Sequence, residues 1–333
     1  GIRVDRDLAV MRPDQSLAGL TGRLVTAIDD VLTATEPDMV IVQGDTTTVL
    51  AGALAAFYRR APIAHVEAGL RTGDLASPFP EEANRKLTTT LASLHFAPTG
   101  RARENLLAEG VDAAAVHVTG NTVIDALQME VARQRDPAVR GTLTARLTQQ
   151  AGADLTERRL VLVTGHRREN FGAGFEQICD ALARLAATHR DTLFVYPVHL
   201  NPRVKDVVHT RLGEAENIRL IGPQPYSEFV ALLGMSTLVL TDSGGVQEEA
   251  PSLGKPVLVM RDTTERPEGV DAGTVRLVGP VAEAIVAHTG RLLDDPAAYH
   301  AMAEAANPYG DGHASQRIVA ALHGFFAGGG ASA

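Results

Sequence analysis

The stretch TLVLTDSGGVQEEA, residues 237–250, decides the fold class of this chain. Its apolar half, TLVL, predicts a short buried strand, and the part from Thr241 onward turns through Ser-Gly-Gly into a helix that carries paired glutamates. Backbone N–H groups, the Ser243 hydroxyl and a helix N-terminus at one point suit a phosphate, and glutamates one to two turns further in are placed to reach a ribose. A glycine-rich turn with only a geometric role gives the same pattern, so nucleotide binding is a first hypothesis.

Short apolar runs alternate with helical patterns along almost the whole chain, and each run is nearly continuous, as in a buried parallel sheet. The helical patterns predict crossover helices at 50–60, 82–93, 101–109 and 122–135, and a C-terminal helix at 314–326. The runs predict strands in two sets, 38–43, 62–68, 94–99 and 116–120, then 160–165, 192–198, 218–222, 237–242, 256–260 and 274–279. We therefore predict an α/β protein with two Rossmann-like, doubly wound parallel-sheet domains facing a cleft, where ligands bind at the carboxyl ends of strands.

The strand pattern restarts after a polar passage, and 333 residues exceed what one hydrophobic core usually serves. The predicted domains are residues 1–120, with a C-terminal helix at about 318–333 packing back on them, and residues 121–317, which bind the nucleotide. The chain opens with GIRVDRDLAVM, without Met, and its first strong strand comes only at 38–43. We therefore expect an N-terminal strand and loop to be missing.

Composition excludes several classes of function. A formal net charge of −9, 4% aromatic residues and no Trp argue against nucleic acid or an anionic membrane as a partner. The single cysteine, Cys179, lies in a helical pattern typical of a core and favours a reducing compartment. Without a signal peptide or a run long enough to span a membrane, we predict a cytoplasmic protein. No metal-ligand spacing, P-loop or nucleophile elbow occurs, so we expect neither a metal nor another cofactor.

Three carboxylates lie at predicted strand ends or loop ends of the first domain. Asp45 follows the strand at 38–43, Glu67 ends the next strand in HVEAGLRTGD, and Glu81 follows in SPFPEEANR. Taken singly, these residues also have a purely structural interpretation. Asp45 can be a helix N-cap, and Glu81 or Glu82 can stabilise a helix N-terminus through the helix dipole. Three of them converging on one cleft favour acid/base chemistry, because clustered carboxylates separate their proton affinities.

The second domain carries cations at a strand end, in GHRREN at 165–170. His166 and Arg167 there suit a diphosphate and a charged leaving group, although such runs are more often solvated. His199, in YPVHLNP, ends the next strand and is ambiguous. Arg266, in RDTTERPE, is placed to contact sugar or phosphate.

Together these motifs resemble a known family. VQGDTTT, HVEAGLRTGD, SPFPEEANR, VTGNTVIDAL, VTGHRREN, YPVHLNP and TDSGGVQEEAPSLGKPVLVMRDTTERPE look like the non-hydrolysing UDP-N-acetylglucosamine 2-epimerases. The resemblance extends in order over nearly the whole chain from about residue 8. It implies two Rossmann-like domains in the GT-B arrangement, usually as a homodimer, and a reaction that interconverts UDP-GlcNAc and UDP-ManNAc. That reaction eliminates UDP after loss of the C2 proton, passes through a 2-acetamidoglucal, and adds UDP back.

The resemblance also implies roles for individual residues. It assigns acid/base work to Asp45, Glu67 and Glu81 without settling which is the base, and it gives His166 the task of assisting the departing UDP. The implied substrate contacts are uracil at Gln224 and Phe229, ribose at Glu249, phosphate at Ser243 with Gly244 and Gly245, and sugar and phosphates at Arg167 and Arg266.

The sequence departs from the family pattern at its N-terminal end. Family members begin with a strand that ends in a G-T-R-P-E-like loop, followed by a segment with a Gln-His pair, and neither occurs in this sequence. The loop supplies an arginine for the diphosphate, and the pair belongs to a site where UDP-GlcNAc activates many bacterial members. Arg12, Gln15 and His199 are candidates for remnants of that regulatory site.

Three alternatives stay open at this point. A GT-B glycosyltransferase uses the same nucleotide-sugar cleft but needs one base and an acceptor groove, whereas three carboxylates fit chemistry at C2. A hydrolysing 2-epimerase releases free ManNAc and UDP. A nucleotide-sugar-binding protein without activity is the third, and the presence of Asp45, Glu67, Glu81 and His166 argues against it.

Overall fold

The computed structural model describes residues 3–165, 167, 170 and 172–328 and, for Pro202 and Arg203, the backbone alone. Within this range the chain divides into two compact units. The first unit contains the chain up to Thr122 and the segment from Tyr309 onward, and the second is Val123–Pro308.

The first unit is built on a four-stranded parallel sheet with strands in chain order, β1-β2-β3-β4. Its elements are α1 (Leu17–Thr35), β1 (Val40–Gln43), α2 (Thr47–Tyr58), β2 (Ile63–Val66), α3 (Glu81–Leu91), β3 (Leu94–Ala97), α4 (Gly100–Ala108) and β4 (Val116–Val118).

The central strands β2 and β3 are buried along their whole length, because helices cover both faces of this sheet. Small residues allow α2 to lie close to β1: a Cβ built on Gly52 would be 3.3 Å from Cγ1 of Val42. Hydroxyl side chains cap α2 and α4, as Thr99 does for α4 by accepting from the N–H of Ala102. The first unit therefore repeats a strand, a turn and a crossover helix, and the turns that follow its strands all lie at the carboxyl edge of the sheet.

The second unit contains a six-stranded parallel sheet in the order β10-β9-β8-β5-β6-β7. Its strands are β5 (Arg159–Thr164), β6 (Thr192–Pro197), β7 (Ile218–Ile221), β8 (Leu238–Thr241), β9 (Val257–Val259) and β10 (Val275–Leu277). Its helices are α5 (Thr122–Arg133), α6 (Pro137–Ala151), α7 (Ala173–Thr188), α8 (Pro202–Leu212), α9 (Tyr226–Met235), α10 (Val246–Ser252), α11 (Pro267–Asp271), α12 (Ala282–Asp294) and α13 (Pro296–Ala303).

Alternate residues of β5 enter different cores, which shows that this sheet is wound on both faces. Val161 and Val163 pack with residues of α7, α8 and α12, whereas Leu160 and Leu162 pack with residues of α6, α9 and α10. The strand order reverses between β5 and β8, which is the topological switch point where ligands of such sheets bind. Cys179 lies inside the α7 core, where burial raises the pKa of its thiol to about 11.

The chain returns to the first unit through a buried contact before its last helix, α14 (Ala314–Ala327). Tyr309 is completely buried, and its carbonyl accepts a hydrogen bond from the N–H of Asn121 at 2.8 Å. Side chains of α14, among them Ile318, pack with β2 and β3. The return at Tyr309 comes earlier than the boundary after residue 317 expected from the sequence, since this contact precedes the helix.

The predicted fold class, two parallel-sheet α/β domains, is confirmed. The strands begin and end within one or two residues of the predicted runs, as at 38–43, where the strand is Val40–Gln43. The polar passage between the two strand sets contains the helix α6, which Asp136 caps by accepting from the N–H of Ala138.

Candidate functional site

The turn after β1 presents Asp45 at the carboxyl edge of the first sheet. Gly44, with φ of +82°, takes the left-handed conformation that glycine adopts without strain, and Asp45 follows directly. The N-cap of α2 is Thr46, whose hydroxyl accepts from the N–H of Val49. The interpretation of Asp45 as a helix N-cap is therefore wrong, and its carboxylate is engaged elsewhere.

Asp45 is held by residues of α3. Its Oδ2 accepts from Nε and Nη2 of Arg85 at 3.0 and 2.6 Å, and its carbonyl accepts from Nδ2 of Asn84 at 2.8 Å. The Arg85 side chain is 4% exposed and that of Asp45 28%. Backbone and side chain of Asp45 are thus both fixed by one helix, with one face of the carboxylate reaching solvent.

Glu67 follows β2 next to this turn and has an unusual backbone. Its φ of +65° lies in the left-handed region, which costs a non-glycine residue about 1–3 kcal/mol and tends to occur at functional sites. Nδ2 of Asn121 donates to its Oε1 at 3.3 Å, while a Cβ built on Gly44 would lie 3.5 Å from its Oε2. The turns that carry Asp45 and Glu67 are therefore neighbours, as expected for adjacent parallel strands.

The two glutamates that open α3 have different surroundings. Glu82 is completely buried, accepts from the backbone N–H groups of Thr72 and Gly73 at 3.2 and 3.1 Å, and pairs with Arg85 at 3.0 Å. Glu81 is half-buried and, within the described part of the chain, makes no hydrogen bond or ion pair. Glu82 therefore has the structural role, and Glu81 remains available for chemistry.

Sequence reasoning missed the groups that support these carboxylates. His65, on β2, is fully buried; its pKa falls to about 4 because of burial, so the ring is neutral and its Nε2–H donates to the carbonyl of Gly44 at 2.8 Å. Arg85 and Asn84 belong to the motif SPFPEEANR, but the motif does not indicate that they contact Asp45. Their one signal in the sequence is spacing, since Arg85 lies three and four residues after Glu82 and Glu81 on a helix.

In the second unit, a cavity of about 290 Å³ lies at the carboxyl ends of β5, β6, β7 and β8. It therefore lies at the topological switch point of the sheet. Its lining combines apolar, hydroxyl, amide and carboxyl groups: Thr164, Gly165, Pro197, His199, Pro223, Gln224, Phe229, Ser243, Val246 and Glu249.

Ser243, which follows β8, and Glu249, on α10, both line this cavity. The N–H of Ser243 donates to Oγ1 of Thr241 at 2.9 Å, and the Ser243 carbonyl accepts from Gln247. The helix begins at Val246, so both glutamates lie in its first turn. They come five and six residues after Ser243, a separation of one to two helical turns.

Glu249 faces the cavity, and its carboxylate forms no ion pair with a described residue. Burial raises the pKa of its carboxyl to about 7, and the hydroxyl of Tyr226, which donates to its Oε1 at 3.2 Å, opposes part of that rise. Its neighbour Glu248 is completely buried and pairs with Arg266. Of the two glutamates, only Glu249 lines the cavity.

Arg266 lies beneath the Ser-Gly-Gly turn. Its guanidinium is bound by the carboxylates of Glu248 and Glu265, and only 7% of the residue is exposed. A Cβ built on Gly244 would lie 2.6 Å from Nη1 of Arg266, so this position has no room for a side chain. Gly245 is the N-cap residue of α10. The structure gives Arg266 two acidic partners, which the sequence did not indicate.

The basic segment after β5 is partly described. The N–H of Arg167 donates to Oδ2 of the fully buried Asp242 at 2.9 Å. Within residues 3–165, 167, 170 and 172–328 the buried Nε of Arg167 has no acceptor. His166 lies outside the described residues.

The remaining predicted positions divide between the units. Gln224 and Phe229 line the cavity; Nε2 of Gln224 donates to Gln150 and to the carbonyl of Gly222, while its buried Oε1 accepts no hydrogen bond from the part of the chain described here. His199, predicted as regulatory, lines the same cavity.

Arg12 and Gln15 lie in the first unit, near its N-terminal end. The N–H of Arg12 donates to Oε1 of Gln15, which also accepts from Arg23. The structure thus joins these two residues to each other, and their regulatory role stays a prediction.

The described residues offer neither a cluster of metal ligands nor a membrane-spanning helix. They contain no group of three or more His, Cys, Asp or Glu side chains able to hold a metal ion. Nor do they include a helix with the length and apolar character needed to cross a membrane.

Two parallel-sheet α/β units with polar side chains at their strand ends define an enzyme of the GT-B-like class. The sequence profile described as UDP-N-acetylglucosamine 2-epimerase matches residues 1–323. The chain belongs to the UDP-N-acetylglucosamine 2-epimerase family and is an isomerase of its non-hydrolysing type. The resemblance seen in the sequence motifs is thereby confirmed.

Relatives in sequence and in structure agree on this family. A probable UDP-N-acetylglucosamine 2-epimerase of Ralstonia nicotianae is 58% identical over 98% of this chain and 86% of its own length. The UDP-N-acetylglucosamine 2-epimerase of Escherichia coli K12 is 55% identical over 96% of this chain and 84% of its own length. The crystal structure of the Neisseria meningitidis UDP-GlcNAc 2-epimerase bound to UDP-GlcNAc superposes with a TM-score of 0.92 at 46% identity, covering 96% of this chain and 85% of that one.

A more distant structure shows the same fold. The Methanocaldococcus jannaschii UDP-GlcNAc 2-epimerase, in complex with UDP-GlcNAc and UDP, has a TM-score of 0.83 at 34% identity and covers 97% of this chain and 85% of its own.

Proposed function

We propose that this chain interconverts UDP-GlcNAc and UDP-ManNAc by eliminating UDP to a 2-acetamidoglucal and adding it back. The observation that carries the proposal is the carboxylate set at one edge of the first sheet. Asp45 and Glu67 occupy neighbouring turns, and Glu81 opens the helix whose Arg85 grips Asp45. Inversion at a carbon that carries hydrogen needs proton transfer on two faces, and therefore two groups.

The proposed steps use these carboxylates in sequence. One carboxylate removes the proton from C2, the C1–O bond breaks, and its electron pair leaves with UDP, so that C1 and C2 become doubly bonded. UDP then attacks C1 again, and a carboxylic acid protonates C2 on the opposite face. A positioned acid or base typically contributes about 10²–10⁴-fold to such a step.

The cavity of the second unit is the proposed site for UDP. The buried Oε1 of Gln224 accepts no hydrogen bond within the described ranges, and the N3–H of uracil is a donor that would satisfy it. Phe229 offers an apolar contact for the same base, Glu249 an acceptor for ribose hydroxyls, and Ser243 a donor for phosphate.

Relatives support the choice of ligand, because the Neisseria enzyme was solved with UDP-GlcNAc and the Methanocaldococcus enzyme with UDP-GlcNAc and UDP. We propose that Arg167 and His166 serve the departing diphosphate. Arg266, already paired with two carboxylates, serves by shaping the turn at Gly244. We further propose that the working form is a homodimer.

The test is proton NMR of the purified chain with UDP-GlcNAc in D₂O, with excess UDP-GlcNAc supplied in case it also activates. We expect UDP-ManNAc to appear with deuterium at C2, and the recovered UDP-GlcNAc to gain deuterium as well. Conversion with full retention of the C2 proton would exclude the elimination mechanism. Release of free ManNAc and UDP would show a hydrolysing reaction instead.

A further inference from the structure

Arg85 has no role of its own in the proposed proton transfers. It lies on α3, 3% of it is exposed, and three of its donor contacts are described. Two of them, from Nε and Nη2, go to a single oxygen of Asp45, and the third, from Nη1, goes to Glu82. A buried arginine bound by two carboxylates has its guanidinium plane fixed, because Arg donates in a rigid fork.

Glu82 holds the guanidinium of Arg85 on the side away from Asp45. Both of its oxygens are used: Oε2 accepts from the N–H of Thr72 and from Arg85, and Oε1 accepts from the N–H of Gly73. Glu82 therefore joins the loop between β2 and α3 to the guanidinium of Arg85. Because the residue is completely buried, water does not compete for these bonds.

The contacts distinguish the two oxygens of Asp45. Oδ2 accepts both arginine donors, whereas Oδ1 accepts no hydrogen bond from any described residue. Asn84 holds the Asp45 carbonyl, and His65 holds the carbonyl of the preceding Gly44. Asp45 is thus fixed at three points, and one oxygen atom remains to exchange a proton.

We propose that Arg85, anchored by Glu82, is a positioning residue that orients Asp45 so that Oδ1 alone meets the sugar. This inference rests on the proposed role of Asp45 in proton transfer at C2. Arg85 itself touches no reacting atom in the scheme. It acts by holding Asp45, and displacing a catalytic group by about 1 Å is enough to cost roughly a hundredfold in rate.

A double-mutant cycle in the full-length chain tests the inference, with turnover of UDP-GlcNAc followed by NMR. We expect Arg85→Gln to lower kcat by roughly tenfold to a hundredfold, with KM for UDP-GlcNAc and Kd for UDP nearly unchanged. Once Asp45 has been replaced by Asn, Arg85→Gln should cost little more, because both changes remove the same oriented carboxylate.

Two further variants make the result specific. Arg85→Lys keeps the positive charge but lacks the fork, so we expect it to fold and to lose most of the same turnover. It replaces Arg85→Gln in the cycle if the glutamine variant does not fold. The matched control is Arg59→Gln, which breaks the ion pair between Arg59 and Asp29 in the same unit, with contacts of 2.6 and 2.8 Å, and should keep its turnover.

The outcomes separate this inference from the proposed function. Additive losses in the cycle, or wild-type kcat in Arg85→Lys, would overturn the positioning role while leaving epimerisation intact. A raised KM at unchanged kcat would show that Arg85 serves binding and would overturn it equally. A wild-type chain that exchanges no C2 proton would instead refute the function on which the inference rests.

Discussion

The turn after β1 and the turn after β8 both follow the carboxyl end of a parallel strand, yet they hold their acidic residues differently. After β1, Asp45 reaches solvent and is gripped by Arg85. After β8, Asp242 is completely buried and accepts from the N–H of Arg167 and from Nδ2 of Asn170. The aspartate after β8 thus joins its turn to the segment that follows β5, and the later residues Ser243 and Glu249 line the cavity.

This difference shows how one topology provides two kinds of site. The carboxyl edge of the first sheet, the first edge, holds the guanidinium of Arg85 against the carboxylate of Asp45, which we propose moves a proton at C2. The second edge provides a cavity with hydroxyl and amide groups and with one carboxyl, that of Glu249, whose pKa is raised to about 7 by burial. The charged groups at the first edge are suited to proton transfer. The shape and the hydrogen-bonding groups of the cavity at the second edge are suited to binding a nucleotide.

The largest expected effect comes from removing the carboxylates of the first edge. Asp45→Asn and Glu81→Gln should each lower turnover by at least about a hundredfold, on the scale of lost acid/base catalysis. Both should leave the Kd for UDP nearly unchanged, because the cavity that we propose as the UDP site lies in the second unit. Turnover by NMR and UDP binding by calorimetry measure the two quantities separately.

Asp29→Asn is the matched control, since Asp29 also pairs with an arginine in the first unit but lies on α1. It should turn over normally. Full turnover in Asp45→Asn or in Glu81→Gln would remove that residue from the mechanism, and a large loss of UDP affinity would contradict the division of work between the two edges.

The next effect is on stability and follows from burial of the Glu249 carboxyl, which forms no ion pair within the described part of the chain. Its pKa is about 7 in the folded chain against an ordinary 4.5, so the folded state favours the protonated carboxyl. The unfolded chain loses this proton first as pH rises, and the folded state is therefore destabilised between about pH 4.5 and about pH 7. Relative to Glu249→Gln, the wild type should lose roughly 2–3 kcal/mol of unfolding free energy over that range.

Urea unfolding of both chains at the two ends of the range measures this change. Glutamine is the matched replacement because it has the same shape and does not titrate. A difference that does not vary with pH, or one that grows in favour of the wild type as pH rises, would show that Glu249 is charged and stabilised in the folded chain.

Much of the fold could be predicted from the sequence because its signals are local. Each buried strand is a short run of apolar residues, and glycine or a capping residue marks most of the turns. Boundaries that depend on distant contacts could not be predicted: the chain re-enters the first unit at Tyr309 because a buried carbonyl there meets the N–H of Asn121.

The site shows the same limit. The position of Asp45, Glu67 and Ser243 at strand ends could be predicted because each comes one or two residues after an apolar strand. The partners that decide their behaviour come from other elements, as with Arg85 for Asp45 and His65 for Gly44. Glu248 and Glu249 are adjacent in sequence, and only the fold shows that one pairs with Arg266 while the other faces the cavity.

The smallest expected effect concerns the Ser243 hydroxyl in the cavity at the second edge. Ser243→Ala should weaken UDP binding by roughly threefold to tenfold, the scale of one hydrogen bond worth about 0.5–1.5 kcal/mol. Saturating kcat should stay unchanged, since the hydroxyl binds phosphate and moves no proton in the scheme. Ser236→Ala is the matched control, because that buried hydroxyl donates to the carbonyl of Leu233 and lies outside the cavity. A fall in kcat with unchanged UDP affinity would place Ser243 with the chemistry and would break the contrast between the two edges.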